Sequence, residues 1–528
     1  MAESTPGQHA ARQGAVGGRT GPEPSGRSLD STIVSRWVVR CGLALFVAQF
    51  AAFASLSVFR YNRFNLGTDF AIYSQAWTEI GRGHLTPQLT IYGFPFLRNN
   101  LELITWPLAL IHPAFKSPIF LLWLQDAAIV GANCVTFLWV TDLLRRRAIT
   151  PKPMLALGLS SLVVLLLNPE TYATAALDFH FEALVTLFAV LAARDLWNGR
   201  RHRPWLWLGL CLLCGDVGGL VVVGIGLSAV LASRQTRRSG ALAVLLGLSW
   251  VSLISLLGAN EGATLRTGYA YLAGRQTLPA GVAGGLVVLG GLVSHPGRPA
   301  HVIATRWSAI YTHLRPVGVI GIATPWGFGV PFIALLSATL EHNSTFITTA
   351  FQNLVVYPFL LFGTISLLIS ATSLRFKGRN IGTLVAIAVG IALLGNSIVN
   401  AAERLPAAPK ANAAGTFIPA SEAGVLRHVL AETPPNAEVI ASVPIVGRFA
   451  QRKYVYQFLG PTQRIPIEAQ EVVIVLDTRH TQQIATAAQA TAAIRSLQGL
   501  HARLLVDSDN VLAVEWHPAR GTTHVRLP

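Results

Sequence analysis

The sequence has few charged residues. Only 12% of its 528 residues are Asp, Glu, Lys or Arg, whereas about 25% is usual for soluble domains. Hydrophobic residues make up 52% of the chain. These proportions exclude a soluble globular fold for the whole chain, and they indicate that most of the protein lies in lipid.

The chain also has little cysteine and lacks several familiar motifs. Its four cysteines all lie before residue 215, so no disulfide framework is indicated. No phosphate-binding Walker loop, dinucleotide-binding glycine motif, zinc-ligand pattern or serine nucleophile motif occurs in a usable context. The sequence therefore identifies neither a metal nor a cofactor.

Positive charge is abundant, with a formal net charge of +16. The excess lies in residues 1–400, which have 29 Lys/Arg and 15 Asp/Glu, and it is concentrated in clusters at 145–147, 200–203, 234–238 and 375–379. Basic clusters beside apolar runs are typical of the cytoplasmic loops of membrane proteins. We therefore expect membrane lipid as a partner and no nucleic acid.

Apolar runs of 15 to 29 residues follow one another from residue 36 to residue 400. A helix needs about 20 residues to cross a bilayer. The runs lie at 41–58, 118–141, 153–168, 174–193, 205–233, 241–257, 280–294, 317–340, 353–373 and 381–400. They predict an all-α polytopic membrane domain at 36–400, with about eleven transmembrane segments, in the plasma membrane. Residues 1–35 are predicted to be a disordered cytoplasmic tail, and residues 60–103 an outer loop.

The run at 205–233 contains glycines and an acid, Gly215-Asp216-Val217-Gly218-Gly219, and has a basic cluster at each end. One straight helix would place these clusters on opposite sides of the membrane. Two short segments hinged at the glycines keep both clusters in the cytoplasm, so we expect a hinge here.

Residues 401–528 differ in character. Short alternating strands at 438–442, 471–477 and 511–515 are joined by Pro/Asn turns and by an Ala-rich helical stretch at 481–498. This pattern predicts a small soluble α/β domain. We expect it to be extracytoplasmic.

A first candidate site is Asp69, which follows the opening transmembrane run. If a helix starts near Thr68 or Asp69, then Tyr73 and Trp77 lie on the same face as Asp69. The carboxylate is either catalytic or ligand-binding, or it is an N-cap on an interfacial helix. The two interpretations are compatible.

A second candidate group is Asp178, His180 and Glu182, at the outer end of the run at 174–193. On a helix, Asp178 and Glu182 would share one face, with His180 roughly opposite. Acids at this depth need water, a cation or a partner. They either bind a ligand or form a solvated helix end that pairs with Arg98 or another loop arginine. Asp216, in the predicted hinge, is a functional candidate by its depth alone.

Several of these segments resemble a family of bacterial membrane proteins known as domain of unknown function 2079. The matching pieces are Gly67-Thr-Asp69-Phe, Gln75-Ala-Trp77, Gly81-Arg-Gly83, Asp178-Phe-His-Phe, Asp216-Val-Gly218, Ala441-Ser-Val-Pro, Gly447-Arg-Phe-Ala-Gln-Arg452-Lys-Tyr-Val-Tyr456 and Val475-Leu-Asp477. Two pieces depart from the family. A His-containing stretch is usual where Arg98-Asn-Asn-Leu-Glu102 stands, and Lys-Glu-Asp is usual where Cys214-Gly215-Asp216 stands.

The family is in turn similar to the GT-C-type glycosyltransferases that use polyprenyl-phosphate sugars. This resemblance implies a GT-C-like fold, a polyprenyl-phosphate-linked sugar donor and inverting transfer with Asp69 as the catalytic base. It further implies that a basic residue, Arg60, Arg63 or Arg98, holds the lipid phosphate, and that Asp178, His180, Glu182 and Asp216 bind substrate. Two alternatives stay open: a transporter or lipid flippase, and a non-catalytic envelope assembly protein.

Overall fold

A computed structural model of the chain describes residues 27–147, 149–257, 261–343, 347, 350–376, 379–404, 418–460, 463–478, 486–499 and 501–527. Residues 1–26 of the tail predicted at 1–35 lie outside these ranges. The first helix begins at Arg27, inside the predicted tail.

Apolar helices dominate the first 404 residues, as the composition predicts. They are α1 (Arg27–Asn62), α2 (Thr68–Gly81), α3 (Thr105–Ala109), α4 (Ile119–Arg146), α5 (Pro151–Leu166), α6 (Pro169–Ala175), α7 (Glu182–Trp197), α8 (Arg203–Leu213), α9 (Asp216–Ala232), α10 (Arg237–Leu257), α11 (Glu261–Gly268), α12 (Val282–Ser294), α13 (Gly297–Thr305), α14 (Trp307–Leu314), α15 (Pro325–Leu340), α16 (Ala350–Asn353), α17 (Val356–Ala371) and α18 (Gly382–Arg404). Two small hairpins, β1 (Gln88–Leu89) with β2 (Phe94–Pro95) and β3 (Arg375–Phe376) with β4 (Arg379–Asn380), lie between helices.

Six helices in the described part of the chain are long and apolar enough to cross a membrane. They are the spans Arg36–Asn62, Ile119–Arg146, Pro151–Ala175, Arg237–Leu257, Phe351–Ala371 and Gly382–Glu403. Four shorter apolar helices, α8, α9, α12 and α15, accompany them. A multi-pass membrane domain is confirmed, while the count of eleven crossings and their orientation stay predictions.

The predicted break in the run at 205–233 is confirmed. Helix α8 ends at Leu213 and α9 begins at Asp216, and Gly215 between them has φ +103°, a conformation that favours glycine. A Cβ on Gly218 would lie 1.9 Å from the carbonyl oxygen of Cys211. In a continuous helix, residues seven apart are separated by about 10 Å. The chain therefore turns back on itself, and α8 and α9 form a hairpin.

The run at 280–294 forms the short helix α12, and the crossing predicted there stays a prediction. The Gly281 amide, at the start of α12, donates to Ser255 Oγ near the C-terminus of α10 (3.1 Å). Later in α12, a Cβ on Gly291 would lie 2.7 Å from the carbonyl oxygen of Leu272. Arg298 then donates to the same Leu272 carbonyl (3.3 Å). The start of α12 thus contacts α10, and its end contacts the 3-10 turn Ala270–Ala273.

The arginines after α12 bind the ends of neighbouring helices. Arg306 donates to the carbonyls of Thr339 (2.6 Å) and Glu341 (2.5 Å) at the C-terminus of α15. Arg315 pairs with Glu403 near the C-terminus of α18 (2.8 Å). These guanidinium groups therefore satisfy helix-end carbonyls and an acid.

The chain re-enters the bundle after Arg315 through two 3-10 turns, Arg315–Val317 and Val319–Ala323. Thr364 Oγ1, on α17, is within hydrogen-bond distance of the carbonyls of Val317 (2.9 Å) and Gly318 (3.2 Å). Irregular backbone is tolerated within a membrane where it is buried in protein and its polar groups are satisfied.

The C-terminal α/β domain is confirmed as a mixed sheet with two helices. The elements are α19 (Ala420–Glu432), β5 (Glu438–Ser442), β6 (Val455–Phe458), β7 (Arg464–Pro466), β8 (Val472–Asp477), α20 (Ala487–Gly499), β9 (Arg503–Ser508), β10 (Val511–Trp516) and β11 (His524–Arg526). The main sheet has the order β6-β5-β8-β10-β9, in which β5 is parallel to β6 and β8. The central strands β5 and β8 are buried throughout, as expected for strands covered on both faces.

This domain packs on the loop between α1 and α2. Phe64 and Ala71 belong to the same buried apolar cluster as Phe449 and Val439 of the domain. The Gly447 amide donates to the Leu66 carbonyl (3.0 Å). The α/β domain and the first loop therefore lie on the same side of the membrane domain, which agrees with the sides predicted for them.

Candidate functional site

Helix α2 presents Asp69 in its first turn, and its N-terminus is capped from another part of the chain. The N-cap residue is Gly67, which has no side chain to accept a hydrogen bond. Instead, Asp178 Oδ2 accepts from the backbone amides of Gly67 (2.9 Å) and Phe70 (3.3 Å). The expectation that Thr68 or Asp69 acts as the cap is wrong. Asp69 does not bind its own helix end, so its carboxylate is left to face the cleft.

Arg60, at the end of α1, holds Asp178 in this position. Its guanidinium lies 3.2 Å from Asp178 Oδ1 and donates to the carbonyls of Asn65 (3.1 Å) and Leu177. Burial raises the pKa of Asp178, and the positive charge of Arg60 opposes that rise. The interpretation of Asp178 as a solvated acid is wrong, because its side chain is buried. Its partner is Arg60, which falls under the predicted alternative of an arginine other than Arg98. The geometry favours a structural role for both residues.

Asp178 and Glu182 do not share a helix face, contrary to the prediction. Helix α6 ends at Ala175 and α7 begins at Glu182, so Asp178 and His180 lie in a non-helical turn. Gln125 bridges this turn. Its Nε2 donates to the Thr174 carbonyl (3.1 Å), and its Oε1 accepts from the His180 amide (2.6 Å). Side-chain bonding to the backbone replaces the helix here.

His180 lies against Asp69. Its Nε2 is 3.7 Å from Asp69 Oδ2, and its ring stacks on Phe351 with 3.7 Å between ring centroids. Burial lowers the pKa of His180 to about 4, so this imidazole is neutral at pH 7. The Asp69 side chain is 51% exposed, yet protein surrounds it closely enough that desolvation raises its pKa. The carboxylate thus reaches solvent while protein packs closely around it, and we call the space between Asp69, His180 and Phe351 the Asp69 cleft.

Glu102 is a site residue that the sequence reasoning missed. Its carboxyl oxygens lie 2.6 Å from Tyr73 Oη, 3.3 Å from Asn100 Nδ2 and 3.5 Å from Asn99 Nδ2. Desolvation raises the pKa of Glu102 to about 8, although these hydrogen bonds oppose the rise. A weak signal was present, because Glu102 is the one acid in the otherwise apolar stretch 101–111.

The tip of the α8–α9 hairpin reaches the same place. The Ile104 amide donates to the Leu213 carbonyl (2.8 Å), and a Cβ on Gly215 would lie 3.0 Å from the Asn100 carbonyl. The outer loop thus satisfies the backbone at the helix break. Asp216 begins α9 beside Gly215 and faces the loop that carries Glu102.

Four carboxylates surround Tyr73: Asp69, Glu102, Glu182 and Asp216. Tyr73 interacts electrostatically with Asp69, Glu102 and Glu182. Glu182 also interacts with Asp69, Glu102 and Asp216. In the described ranges, no three His, Cys, Asp or Glu side chains converge closely enough to hold a metal ion. The acids therefore lie near one another, and burial keeps Glu102 protonated at pH 7.

A crevice lies beside Asp216. Asp216 and Glu341 line it together with neutral polar and apolar side chains of α9, α11 and α15, among them Leu220, Leu265 and Ala338. Gln352 also lines this crevice, and it follows Phe351, which stacks on His180. The crevice and the surroundings of Asp69 thus share the segment at 351–352.

The three arginines proposed to hold a phosphate have different surroundings. Arg60 is buried and bound to Asp178, as described above. Arg63, just after the end of α1, lies over the ring of Phe59 in α1 (5.2 Å). Arg98 is exposed at the end of the 3-10 turn Phe96–Arg98, two residues before the Asn100 that contacts the hairpin tip.

The α/β domain closes the cleft from above. Gln75 Nε2, on α2, donates to the Lys453 carbonyl (2.8 Å), and Thr68 Oγ1 bonds to Gln457 Oε1 (2.8 Å). Thr90 Oγ1 exchanges hydrogen bonds with the backbone of Val455 (2.6 and 3.0 Å). Segments that are far apart in the sequence, around residues 67–75, 178–180, 216 and 447–457, thus meet at one place.

Comparison with known proteins gives a family and a fold likeness. A family described as "Predicted membrane protein (DUF2079)" matches residues 60–499. The crystal structure of ArnT from Cupriavidus metallidurans bound to undecaprenyl phosphate is similar at 11% identity and a TM-score of 0.45, covering 90% of this chain and 97% of that one. The apo state of the same protein gives 12% identity and a TM-score of 0.44, with 90% and 98% covered. No curated protein matches the sequence.

Proposed function

Because this chain belongs to the DUF2079 family of predicted membrane proteins, and the motifs it shares with that family meet in one cleft, we propose that the cleft is an active site. The proposed reaction is transfer of a sugar from a polyprenyl-phosphate donor at the outer face of the plasma membrane. The donor class rests on the resemblance to GT-C-type glycosyltransferases described under Sequence analysis.

The observation that carries the proposal is the state of Asp69. Its side chain is half exposed in a cleft and next to a neutral histidine, and its helix is held by a cap from Asp178 rather than by its own side chain. A general base must reach its substrate and have a pKa tuned toward the working pH. Desolvation moves the pKa of Asp69 in that direction.

In the proposed reaction, Asp69 accepts the proton of an acceptor hydroxyl as the oxygen attacks the anomeric carbon of the donor sugar. The bond between that carbon and the phosphate oxygen breaks, and the electron pair leaves with the polyprenyl phosphate. Attack from the face opposite the leaving group inverts the configuration. His180, neutral and 3.7 Å from Asp69, keeps the carboxylate oriented.

The lipid phosphate requires a cation near the cleft. Arg98 is our choice among the three predicted arginines, because it is exposed on the loop that contacts the hairpin tip. Arginine suits phosphate because its planar fork can donate two parallel hydrogen bonds. Arg60 is bound to Asp178 and two carbonyls, so its use would require breaking a buried ion pair.

The test is complementation of a deletion strain, with cell-envelope glycans as the readout. Asp69→Asn should lower transfer by about 10²-fold or more, the usual contribution of a general base. Asp507→Asn changes an exposed acid of the α/β domain and serves as the matched control, with membrane abundance measured for both. Full complementation by Asp69→Asn would contradict the hypothesis that the protein is a glycosyltransferase with Asp69 as its base.

The rate should also depend on pH through Asp69. A base works only when deprotonated, so activity should be lost as the pH falls through the pKa of Asp69. Because desolvation raises this pKa, the loss should begin at a higher pH than for a solvent-exposed aspartate, about 3.9. An acid limb at or below that value would contradict the assignment.

The crevice beside Asp216 favours a second candidate, a transporter or lipid flippase. An acid at a helix break, beside a crevice between helices, is a common feature of transport sites. Substrate uptake that is abolished by Asp216→Asn and unaffected by Asp69→Asn would support transport and contradict transfer.

A further inference from the structure

Helix α12 and the segment after it have an unusual surface. Four large apolar side chains of α12 are strongly exposed: Val282 (65%), Leu286 (63%), Leu289 (59%) and Val293 (82%). Their spacing of four, three and four residues places them on one stripe of the helix. No charged residue occurs between 282 and 294. Apolar stripes of this kind are not left in water.

Helix α12 is also too short to cross a membrane and does not change sides. Its 13 residues span about 20 Å, whereas a bilayer core is about 30 Å thick. The contacts of Gly281 with Ser255 and of Gly291 with Leu272 hold it near the C-terminus of α10. Both of its ends therefore lie on the side of the Asp69 cleft.

The stripe continues a surface that already faces lipid. Helix α10 is one of the apolar spans, and several of its leucines are exposed, including Leu245 and Leu256. Leu256 lies against Gly281 at the start of α12. The lipid that covers α10 thus extends over α12 without an intervening polar boundary.

The residues after α12 have the character of a membrane interface. Trp307 (54%) and Tyr311 (46%) are exposed one turn apart on α14, and such aromatic side chains are enriched at the headgroup level. The guanidinium groups of Arg298 and Arg306 bind backbone carbonyls of the protein. The positive charges are therefore held against protein rather than directed into the lipid.

We infer that α12 lies within the lipid leaflet on the side of the Asp69 cleft, with residues 297–311 at the headgroup level of that leaflet, and that this segment does not cross the membrane. The partner of the α12 stripe is the acyl chains of that leaflet. The preceding helix, α11, contributes Leu265 to the crevice beside Asp216. Leaflet lipid consequently borders the crevice. This inference does not depend on glycosyl transfer.

Cysteine labelling tests the sidedness in intact cells, using a membrane-impermeant maleimide and the full chain with Cys41 and Cys134 replaced by alanine. Gly297→Cys is suitable because a Cβ there meets no atom within 4 Å. It should label from the same side as Gly424→Cys in the α/β domain and from the side opposite to Arg201→Cys. Labelling together with Arg201→Cys would mean that α12 crosses the membrane and would overturn the inference.

A spin label tests the surroundings of α12 in the purified protein, reconstituted in phosphatidylcholine vesicles. Gly290→Cys also meets no atom within 4 Å. A label there should be relaxed by oxygen, which concentrates in lipid, and protected from a water-soluble nickel complex, with Gly424→Cys as the aqueous control. Relaxation by nickel equal to that of the control would show that α12 faces water. Either result is independent of whether Asp69 is needed for activity.

Discussion

Replacing Glu102 by glutamine should reduce the pH dependence of the protein's stability. Glu102 is buried beside Tyr73 and has a pKa of about 8, compared with 4.5 for an unperturbed glutamate. The folded protein keeps the proton over this interval, whereas the unfolded chain releases it. The folded state binds more protons, so its stability falls as the pH rises from 4.5 to about 8.

The size of the effect follows from the same interval. A difference of about 3.5 pH units corresponds to roughly 5 kcal/mol. This figure is an upper limit for the loss of stability, because Tyr73 and the neighbouring asparagines can reorganise to stabilise the ionised carboxylate. Glutamine imitates the protonated acid, so the Glu102→Gln variant should not lose this stability.

The assay is the thermal unfolding midpoint of the purified protein in detergent at pH 6, 7, 8 and 9. The midpoint of the natural protein should fall across this range, whereas that of Glu102→Gln should change less and lie above it at pH 9. Asp507→Asn, an exposed acid, should leave the slope unchanged. Parallel slopes for the natural protein and Glu102→Gln would refute the claim that this carboxyl is held protonated by burial.

Three further predictions concern positions that hold the cleft together. Gly218→Ala should open the α8–α9 hairpin and strongly reduce the amount of folded protein in membranes. Gly209→Ala on α8, where a Cβ meets nothing within 4 Å, should leave that amount unchanged. Gly447→Ala should lower the free energy of unfolding by about 1–3 kcal/mol, read as a lowered unfolding midpoint, because the new Cβ would be 2.7 Å from a backbone carbonyl of the first loop. Gly424→Ala, within α19, should leave the stability unchanged or raise it by up to about 1 kcal/mol. Asp178→Asn leaves a buried arginine without its acidic partner, so it should lower the free energy of unfolding by about 3 kcal/mol, measured as a lower unfolding midpoint. An unchanged midpoint would contradict the buried ion pair.

Much of the fold could be predicted from local pattern. Long apolar runs predicted the helices, because a segment in lipid must satisfy its own backbone. The break at Gly215 was predictable because one helix of that length would have placed a basic cluster on the wrong side. The start of α2 near Thr68 and the strands of the α/β domain also follow from sequence-local signals.

The site was only partly predictable. Asp69, His180 and Asp216 were identified, since charged or polar groups beside apolar runs are unusual. The partner of Asp178 was not, because Arg60 is 118 positions away and nothing local links the two. Glu102 was missed for a similar reason, since its role depends on Tyr73 and on the hairpin tip. The run at 280–294 was assigned a crossing because arginines follow it, and that pattern carried no information on its contacts with Ser255 and Leu272.

The sequence by itself determined that this is a multi-pass membrane protein with a separate α/β domain, because hydrophobic length and alternation are properties of neighbouring residues. Only the tertiary structure decided which polar groups meet: Asp178 with the first turn of α2, Glu102 with Tyr73, and the α/β domain with the loop that carries Asp69. These pairings join residues from different helices, and burial makes each one specific, since a polar group without its partner loses the hydration it had in water.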